Sequence, residues 1–515
     1  MLDGAATVLP YTGAEYLESI RDDREVWIHG ERVEDVTAHP AFRNSARSIA
    51  RLYDALHDPV YQERLTGPTD TGNGGFTHPG FVNARTVDDL VAARAAMRVW
   101  AELSFGWMGR TPDYKAGMVA ALGAHPEWYG EYKDNAVAWY RKGQERIPYL
   151  GHAIVHPPVD RHLPFEETRD VFFHVEKETD NGLVVSGAKV VATGAPLTHS
   201  VFVSHYGPAK NKDYAVVCMA PTAGKGVKLL ARTSYELNAA TTGSPFDYPL
   251  SSRLDENDSI LVFDHALIPW EDVLVYDVQK MAEFDHVSAW PSRALLQSAT
   301  RMAVKLEFLI GAMSKALDIK GGKDAPPIRL ALGEAITWRN TIVAMTDGMI
   351  QSATPHAGGN SLIPNSEFGV AYAALAPQLY RRVKEIIQTV VASGLIYLNS
   401  SVADFEEPTV RAYLDRFLRG SAGLTALDRS KTMKLLWDAI GTEFGGRHEL
   451  YELNYFGAPA LNYSRGLELA EESGDLQRWR GLAEACMDDY DLKGWTAPGL
   501  LNPSDVSVVA TRRGR

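Results

Sequence analysis

The sequence predicts an α+β chain in three parts, and three observations carry that prediction. Helix-period segments fill most of the first 150 residues; alternating and β-branched runs with hairpin turns fill roughly 150–280; long amphipathic helical patterns return from about residue 298. The expected division is a helical N-terminal domain over 1–150, an antiparallel β-barrel or sandwich over 151–280, and a helix-bundle domain with a tail over 281–515. With 515 residues, 45% hydrophobic and 23% charged, the chain is long enough for a sizeable core and ordinary in composition for a globular protein.

Residues 1–84 read as short helical pieces between polar turns, ending in a Gly/Thr/Pro-rich loop over 65–79. A helix begins after Thr86, which can cap it. Asp88 and Asp89 suit the positive end of its dipole, and Leu90, Ala93, Met97 and Trp100 recur at helical spacing. Gly106-Trp-Met-Gly-Arg110-Thr-Pro-Asp-Tyr114 is a glycine-broken turn before a second helix with Pro112 in its first turn.

Tyr149-Leu-Gly-His-Ala-Ile-Val-His-Pro-Pro-Val-Asp-Arg161 then joins the helical part to the β part. Pro157-Pro158 stops any helix and holds the backbone extended, so His152 and His156 fall on one side of a short strand ending in a rigid turn. A hairpin at Asp180-Asn-Gly182 follows, and the extended piece 188–196 after it can return beside the first strand. The pair is expected to floor a flat aromatic cofactor, with His152 facing a substrate. Later, Met302, Leu306, Leu309, Ile310, Met313 and Leu317 share one helical face, and three further amphipathic stretches complete a four-helix bundle.

Several classes are excluded. The net charge is −13 and no basic patch stands out, which argues against nucleic acid or an anionic membrane as partner. Cys218 and Cys486 are too few for a disulfide framework or a Cys-rich metal site and read as small hydrophobes in apolar surroundings. No apolar run approaches the ~20 residues of a membrane span, and the N-terminus lacks the pattern of a secretory signal, so a cytoplasmic location is expected. No GxGxxG or GxxxxGK[ST] loop occurs. His448-Glu-Leu-Tyr-Glu452 fails as a zinc motif because Glu452 stands where a second histidine is needed, so no metal is expected.

The remaining polar residues each have a plain reading and a chemical one. Arg110 alone would be a surface arginine, and His152 a core histidine. Together with Tyr114 they would make a site for a phenol oxygen: arginine stays charged and favours a phenolate, tyrosine donates a hydrogen bond, and histidine takes a proton near neutrality. His156 could bond a loop carbonyl, and Thr193 could merely end a strand or touch a ring nitrogen. Gly445-Gly446-Arg447 could be a helix C-cap, or bare backbone that lets a pyrophosphate or adenine approach a charged partner.

Four motifs carry a family resemblance: Gly109-Arg110-Thr-Pro-Asp-Tyr114, His152-Ala-Ile-Val-His-Pro-Pro-Val-Asp-Arg161, Val190-Val-Ala-Thr-Gly194 and Gly441-Thr-Glu-Phe-Gly-Gly-Arg-His-Glu-Leu-Tyr-Glu452. On these the chain resembles the oxygenase components of 4-hydroxyphenylacetate 3-monooxygenases, the large halves of two-component phenol hydroxylases. Stretches such as Ala239-Ala-Thr-Thr-Gly-Ser-Pro-Phe246 and Asp491-Leu-Lys-Gly-Trp-Thr-Ala-Pro498 look closer to the enediyne-biosynthetic branch, which acts on a chlorinated β-tyrosine held on a carrier protein.

The resemblance implies an acyl-CoA-dehydrogenase-like fold and a homotetramer built as a dimer of dimers. It implies FAD used as FADH2, O2, and a separate NAD(P)H:flavin reductase. It also implies hydroxylation ortho to the phenol oxygen through a flavin C4a-hydroperoxide. Carried over residue by residue, Arg110, Tyr114 and His152 match the phenol-binding trio, and His152, His156, Arg161 and Thr193 lie on the flavin floor. Gly445, Gly446 and Arg447 match a turn meeting the cofactor's far end from a neighbouring subunit. The chain departs from the family in a short 204–213 loop without evident Ser/Thr contacts to a carboxylate tail. It departs again at Gln297, where some relatives have a histidine. The expected substrate is a tyrosyl group on a peptidyl carrier protein, with free phenols (4-hydroxyphenylacetate, a chlorophenol or a nitrophenol) as the alternative and an acyl-CoA dehydrogenase as the rival class.

Overall fold

The computed structural model describes residues 7–160, 162–205, 209–455, 457–492 and 494–499. Helices, strands and again helices follow one another in the predicted order. In the first part, α1 (Gly13–Ser19) and α2 (Arg43–Ala55) precede α3 (Val87–Leu103), α4 (Ala116–Ala124) and α5 (Lys133–Arg146). Thr86 caps α3 as expected, in a reciprocal capping box with Asp89 that satisfies two otherwise free backbone amides. The region 1–84 is not wholly helical, however. Glu25–Ile28 (β1) and Glu31–Val33 (β2) form a hairpin whose four and three residues are too short for an alternation signal.

That hairpin belongs to the β part. The remaining strands are β3 (Leu150–Ala153), β4 (His174–Thr179), β5 (Gly182–Thr193), β6 (Ser200–Val203), β7 (Val216–Pro221), β8 (Val227–Ala231), β9 (Asp258–Pro269) and β10 (Val273–Tyr276). They make a six-stranded sheet in the order β2-β1-β8-β9-β5-β4 and a four-stranded sheet in the order β10-β7-β6-β3. Two neighbours run parallel, β1 with β8 and β3 with β6, where an antiparallel arrangement was predicted. Both pairs join strands far apart in sequence, and hairpin signals are blind to such pairs.

The C-terminal part holds α6 (Trp290–Lys320), α7 (Pro326–Gln351), α8 (Ser366–Val391) and α9 (Ala426–Ile440), with α6 packed on the other three. Met302, Leu306, Leu309, Met313 and Leu317 are all buried. After α9 come α10 (Glu443–Asn454), α11 (Pro459–Glu472) and α12 (Asp475–Met487), and the last two bury none of their residues. Cys218 is buried as expected, but Cys486 is exposed on α12, a helix that buries none of its residues. Among the described residues no helix is long and apolar enough to cross a membrane.

Candidate functional site

The turn that carries Arg110 is fixed from both sides. Gly109 precedes it, and a β-carbon there would meet the Tyr451 hydroxyl at 2.1 Å, so only glycine lets α10 lie this close. Pro112–Lys115 forms a 3-10 turn leading into α4. Beneath it, Gln297 Nε2 donates to Thr111 Oγ1 (3.2 Å) and to Asp113 Oδ1 (3.3 Å). Burial pushes the Asp113 carboxyl up to about 7. Gln297, given no role in the sequence, thus holds the motif turn from α6.

On this turn the three predicted residues meet. The Arg110 guanidinium stacks 4.0 Å from the Tyr114 ring centroid. The Tyr114 hydroxyl lies 2.9 Å from Nδ1 of His152 on β3. Arg110 and Tyr114 are buried, while His152 keeps partial exposure. Burial, reinforced by Lys115 and Arg110, holds the His152 pKa well below the ordinary histidine range, so the ring is neutral.

The floor segments also meet. Val190 N donates to Val155 O at 3.0 Å across an isolated antiparallel bridge, which sets 152–156 beside 188–193. Strand alternation puts Leu230, Ile260, Val191 and Val155 on one outer face of the sheet, and they are 42%, 42%, 52% and 45% exposed. The register slips between Ser259 and Leu261, so two residues of β5 oppose Ile260. Val191 stands in that bulge at φ 58°, a left-handed conformation that a β-branched residue rarely adopts. His156 flanks this face. Burial brings its pKa down to about 3, and its buried Nδ1 has no hydrogen-bond partner among the described residues.

At the end of the face, Thr193 Oγ1 donates to Asp258 Oδ1 (2.6 Å). Arg447 grips the same carboxylate with both arms, at 3.0 and 2.7 Å, and Arg232 adds a third bond at 3.0 Å. Two residues earlier, Glu256 Oε1 accepts from the Arg110 backbone amide at 2.5 Å. One helical turn after Arg447, the Tyr451 hydroxyl accepts from Arg110 Nη1 at 2.8 Å. The predicted trio and the predicted floor segments are therefore linked to each other through 256–258 and α10.

One expectation changes here. Gly445 and Gly446 are not in a turn or C-cap; they lie in the first turn of α10, which Thr442 caps. A β-carbon on Gly445 would strike Ala439 and Ile440, so this glycine serves the sharp α9–α10 corner, whereas Gly446 faces open space. Arg447 is engaged within its own chain, beside Thr193. Arg161 lies outside the described residues.

The sequence missed Lys115, Glu256, Asp258, Tyr451 and Tyr455, whose ring centroid lies 4.9 Å from the Arg110 guanidinium. Lys115 adjoins the first motif, and Tyr451 follows Arg447 at helical spacing; nothing local marks Asp258. Glu452, read as the residue that spoils a zinc motif, is a buried anion bonded to Arg301 (2.5 and 2.8 Å) and Lys305 (2.8 Å).

Family models for the N- and C-terminal parts of 4-hydroxyphenylacetate 3-hydroxylase match residues 12–275 and 281–484. The chain belongs to this family. It is 53% identical over 498 residues to the Streptomyces globisporus monooxygenase of a (3S)-3-amino-3-(3-chloro-4-hydroxyphenyl)propanoyl group on a peptidyl-carrier protein, covering 96% of this chain and 94% of that one. It is 51% identical over 502 residues to a 4-nitrophenol 2-monooxygenase oxygenase component from a Rhodococcus species, covering 98% and 96%. A crystal structure of the 4-hydroxyphenylacetate 3-monooxygenase oxygenase component complexed with FAD and 4-hydroxyphenylacetate superposes with a TM-score of 0.86. That pair is 31% identical, covering 93% of this chain and 99% of that one. An archaeal 4-hydroxybutyryl-CoA dehydratase shares the fold at a TM-score of 0.80 and 18% identity. This hydroxylase-family chain is a flavin-dependent monooxygenase, the oxygenase component of a two-component system, with FAD as its cofactor.

Proposed function

We propose that the chain hydroxylates a phenol ortho to its hydroxyl, with the phenol oxygen held by Arg110, Tyr114 and His152 and the flavin ring resting on the outer sheet face. The observation that carries this reading is the direct linkage of the trio to that face through Glu256, Asp258 and Arg447. The residues there suit a flavin. The apolar row and strained Val191 offer a flat contact surface, and Gly446 leaves backbone uncovered. His156 Nδ1 and Arg447 Nη1 are buried polar atoms lacking hydrogen bonds among the described residues. His152, His156, Thr193, Gly446 and Arg447 would hold it, with Arg161 and Gly445 assigned there by resemblance alone.

Reduced flavin and O2, with electrons from a separate reductase, supply the oxygen-transfer chemistry. The chain's own residues make the substrate reactive. Arg110, kept cationic among tyrosines, favours the phenolate, which is electron-rich at the ortho carbon. Tyr114 fixes the phenol oxygen by a hydrogen bond, and neutral His152 accepts its proton. Packing around Arg110 and Tyr114 excludes water.

For the substrate we infer a chlorotyrosyl-type group on a peptidyl carrier protein, supported by the 53% relative, while a 204–213 loop without evident Ser/Thr contacts to a carboxylate tail argues against free 4-hydroxyphenylacetate. Within that loop, residues 206–208 lie outside the described set. A free nitrophenol is the second reading, favoured by the 51% relative. A homotetramer fits the exposed apolar residues on the last helices, among them Leu461, Trp479 and Leu482. A coupled assay with any flavin reductase, comparing free phenols with a loaded carrier protein, tests the assignment. Catechol from the carrier alone is expected, catechol from free phenols would select the second reading, and catechol from neither would refute both.

A further inference from the structure

Lys115 follows Tyr114 in the motif, yet its side chain is fully buried. Its amino end finds no carboxylate partner among the described residues. Nζ lies 2.8 Å from His152 Nδ1, the same nitrogen that the Tyr114 hydroxyl approaches at 2.9 Å. Aromatic rings enclose the rest: Tyr114 and Trp290 with centroids 4.5 Å from Nζ, and Phe202 at 5.3 Å. Asp285, the acid that acts on Lys115, instead accepts from Trp290 Nε1 at 2.8 Å. A lysine buried for structure alone would be paired with an anion. This one has an imidazole.

We propose that Lys115 is the terminal proton acceptor of the site, reached from the substrate phenol through His152. The proposal rests on the placement of the phenol beside His152 argued above. Burial and the nearby Arg110 cation push the Lys115 pKa well below the usual lysine range, which favours the neutral amine; Asp285 opposes this less strongly. A neutral amine accepts from Nδ1–H of a neutral imidazole, leaving the Nε2 lone pair for the phenol. The Tyr114 oxygen can accept from Nδ1–H or donate to bare Nδ1, so its pairing survives either tautomer.

Two protons then move. The phenol O–H bond breaks as Nε2–H forms, and Nδ1–H breaks as a third N–H forms on Nζ. The products are a phenolate and an ammonium, and the imidazole has only exchanged tautomers. No imidazolium has to form in a buried site beside the Arg110 cation, both of which disfavour a charged His152. Lys115 acts through His152 and is a positioning residue.

The full-length chain, labelled with ¹⁵N in its histidine rings, tests this directly, with His152→Gln identifying the resonance. We expect Nδ1 to carry the proton in the free protein and Nε2 to carry it once 4-nitrophenol is bound. An Nε2–H ring that does not change on binding overturns the relay. In parallel, the visible spectrum of bound 4-nitrophenol reports its ionisation against pH. Lys115→Met should raise that midpoint by about one unit, a roughly tenfold loss of phenolate at a given lower pH. An unchanged midpoint overturns the relay while the phenol site stands, and failure of the unaltered protein to bind the phenol removes the site and the relay together.

Discussion

The two sides of the site are built on opposite principles. Around Arg110, Tyr114 and His152, charged and aromatic groups are buried and already bonded to one another, with Tyr149 donating to the Arg110 carbonyl at 2.6 Å and Tyr451 closing the far side. Over Leu230, Ile260, Val191 and Val155 the chain leaves apolar surface exposed, one residue strained, and nearby polar atoms unpaired. The contrast teaches which contacts are prepared before binding. The proposed phenol side holds its geometry fixed in advance, as preorganised electrostatics requires. The proposed flavin side keeps an exposed apolar surface for a flat ring to cover, in keeping with a cofactor that arrives reduced from another protein.

The sharpest way to break this comparison is to strip the phenol side and ask whether the flavin side notices. His152→Ala and Arg110→Ala should lower catechol formation by about 10²–10⁴-fold while FAD binding, followed by flavin fluorescence, stays within a few-fold. Undiminished catechol yield from both variants would remove the assignment. Next in size, Glu452→Gln behind the trio would leave Arg301 and Lys305 buried without their anion and should cost about 3–5 kcal/mol in denaturant unfolding. Near-native stability would show that the phenol side does not depend on that network.

The same carboxylate gives a pH signature. Arg301 and Lys305 hold the Glu452 pKa down to about 2 from 4.5 despite burial, so its stabilisation is complete above about 4.5 and is lost as pH falls toward 2. Histidines buried neutral, His78 and His199 with pKa values near 3, add a loss that begins higher, as pH falls below 6.5. Unfolding midpoints should therefore decline in two overlapping stages below neutrality, and Glu452→Gln should flatten only the lower one. The smallest expected effect lies on the flavin side. Val191→Gly relieves the left-handed strain, which is worth about 1–3 kcal/mol, but removes an apolar contact. Stability should hold or rise while FAD affinity drops by a few-fold; tighter FAD binding would mean that the valine side chain is not part of the floor.

Much of this molecule was legible in its residues because the signals are local. Thr86 with Asp89 announces a capped helix, Asp180-Asn-Gly182 a hairpin, and the spacing from Met302 to Leu317 a bundle helix. Arg110 and Tyr114 lie four residues apart on one turn, so their meeting was foreseeable. His152 joined them on resemblance as much as on pattern. Gly445 and Gly446 misled, since two adjacent glycines read as a turn although both lie in a helix, where tight packing against Ala439 and Ile440 needs glycine at 445 alone.

What the sequence determined by itself, then, was the order of elements, their amphipathic faces and the chemistry available in each motif, because caps, turns and periodicity act within a few residues. Only the tertiary structure decided that β1 closes against β8, that Asp258 gathers Thr193, Arg232 and Arg447, and that Lys115 turns inward to His152. Those pairings span tens to hundreds of residues. They are selected by which buried charges and polar atoms can satisfy each other once water is gone, and no local pattern encodes that.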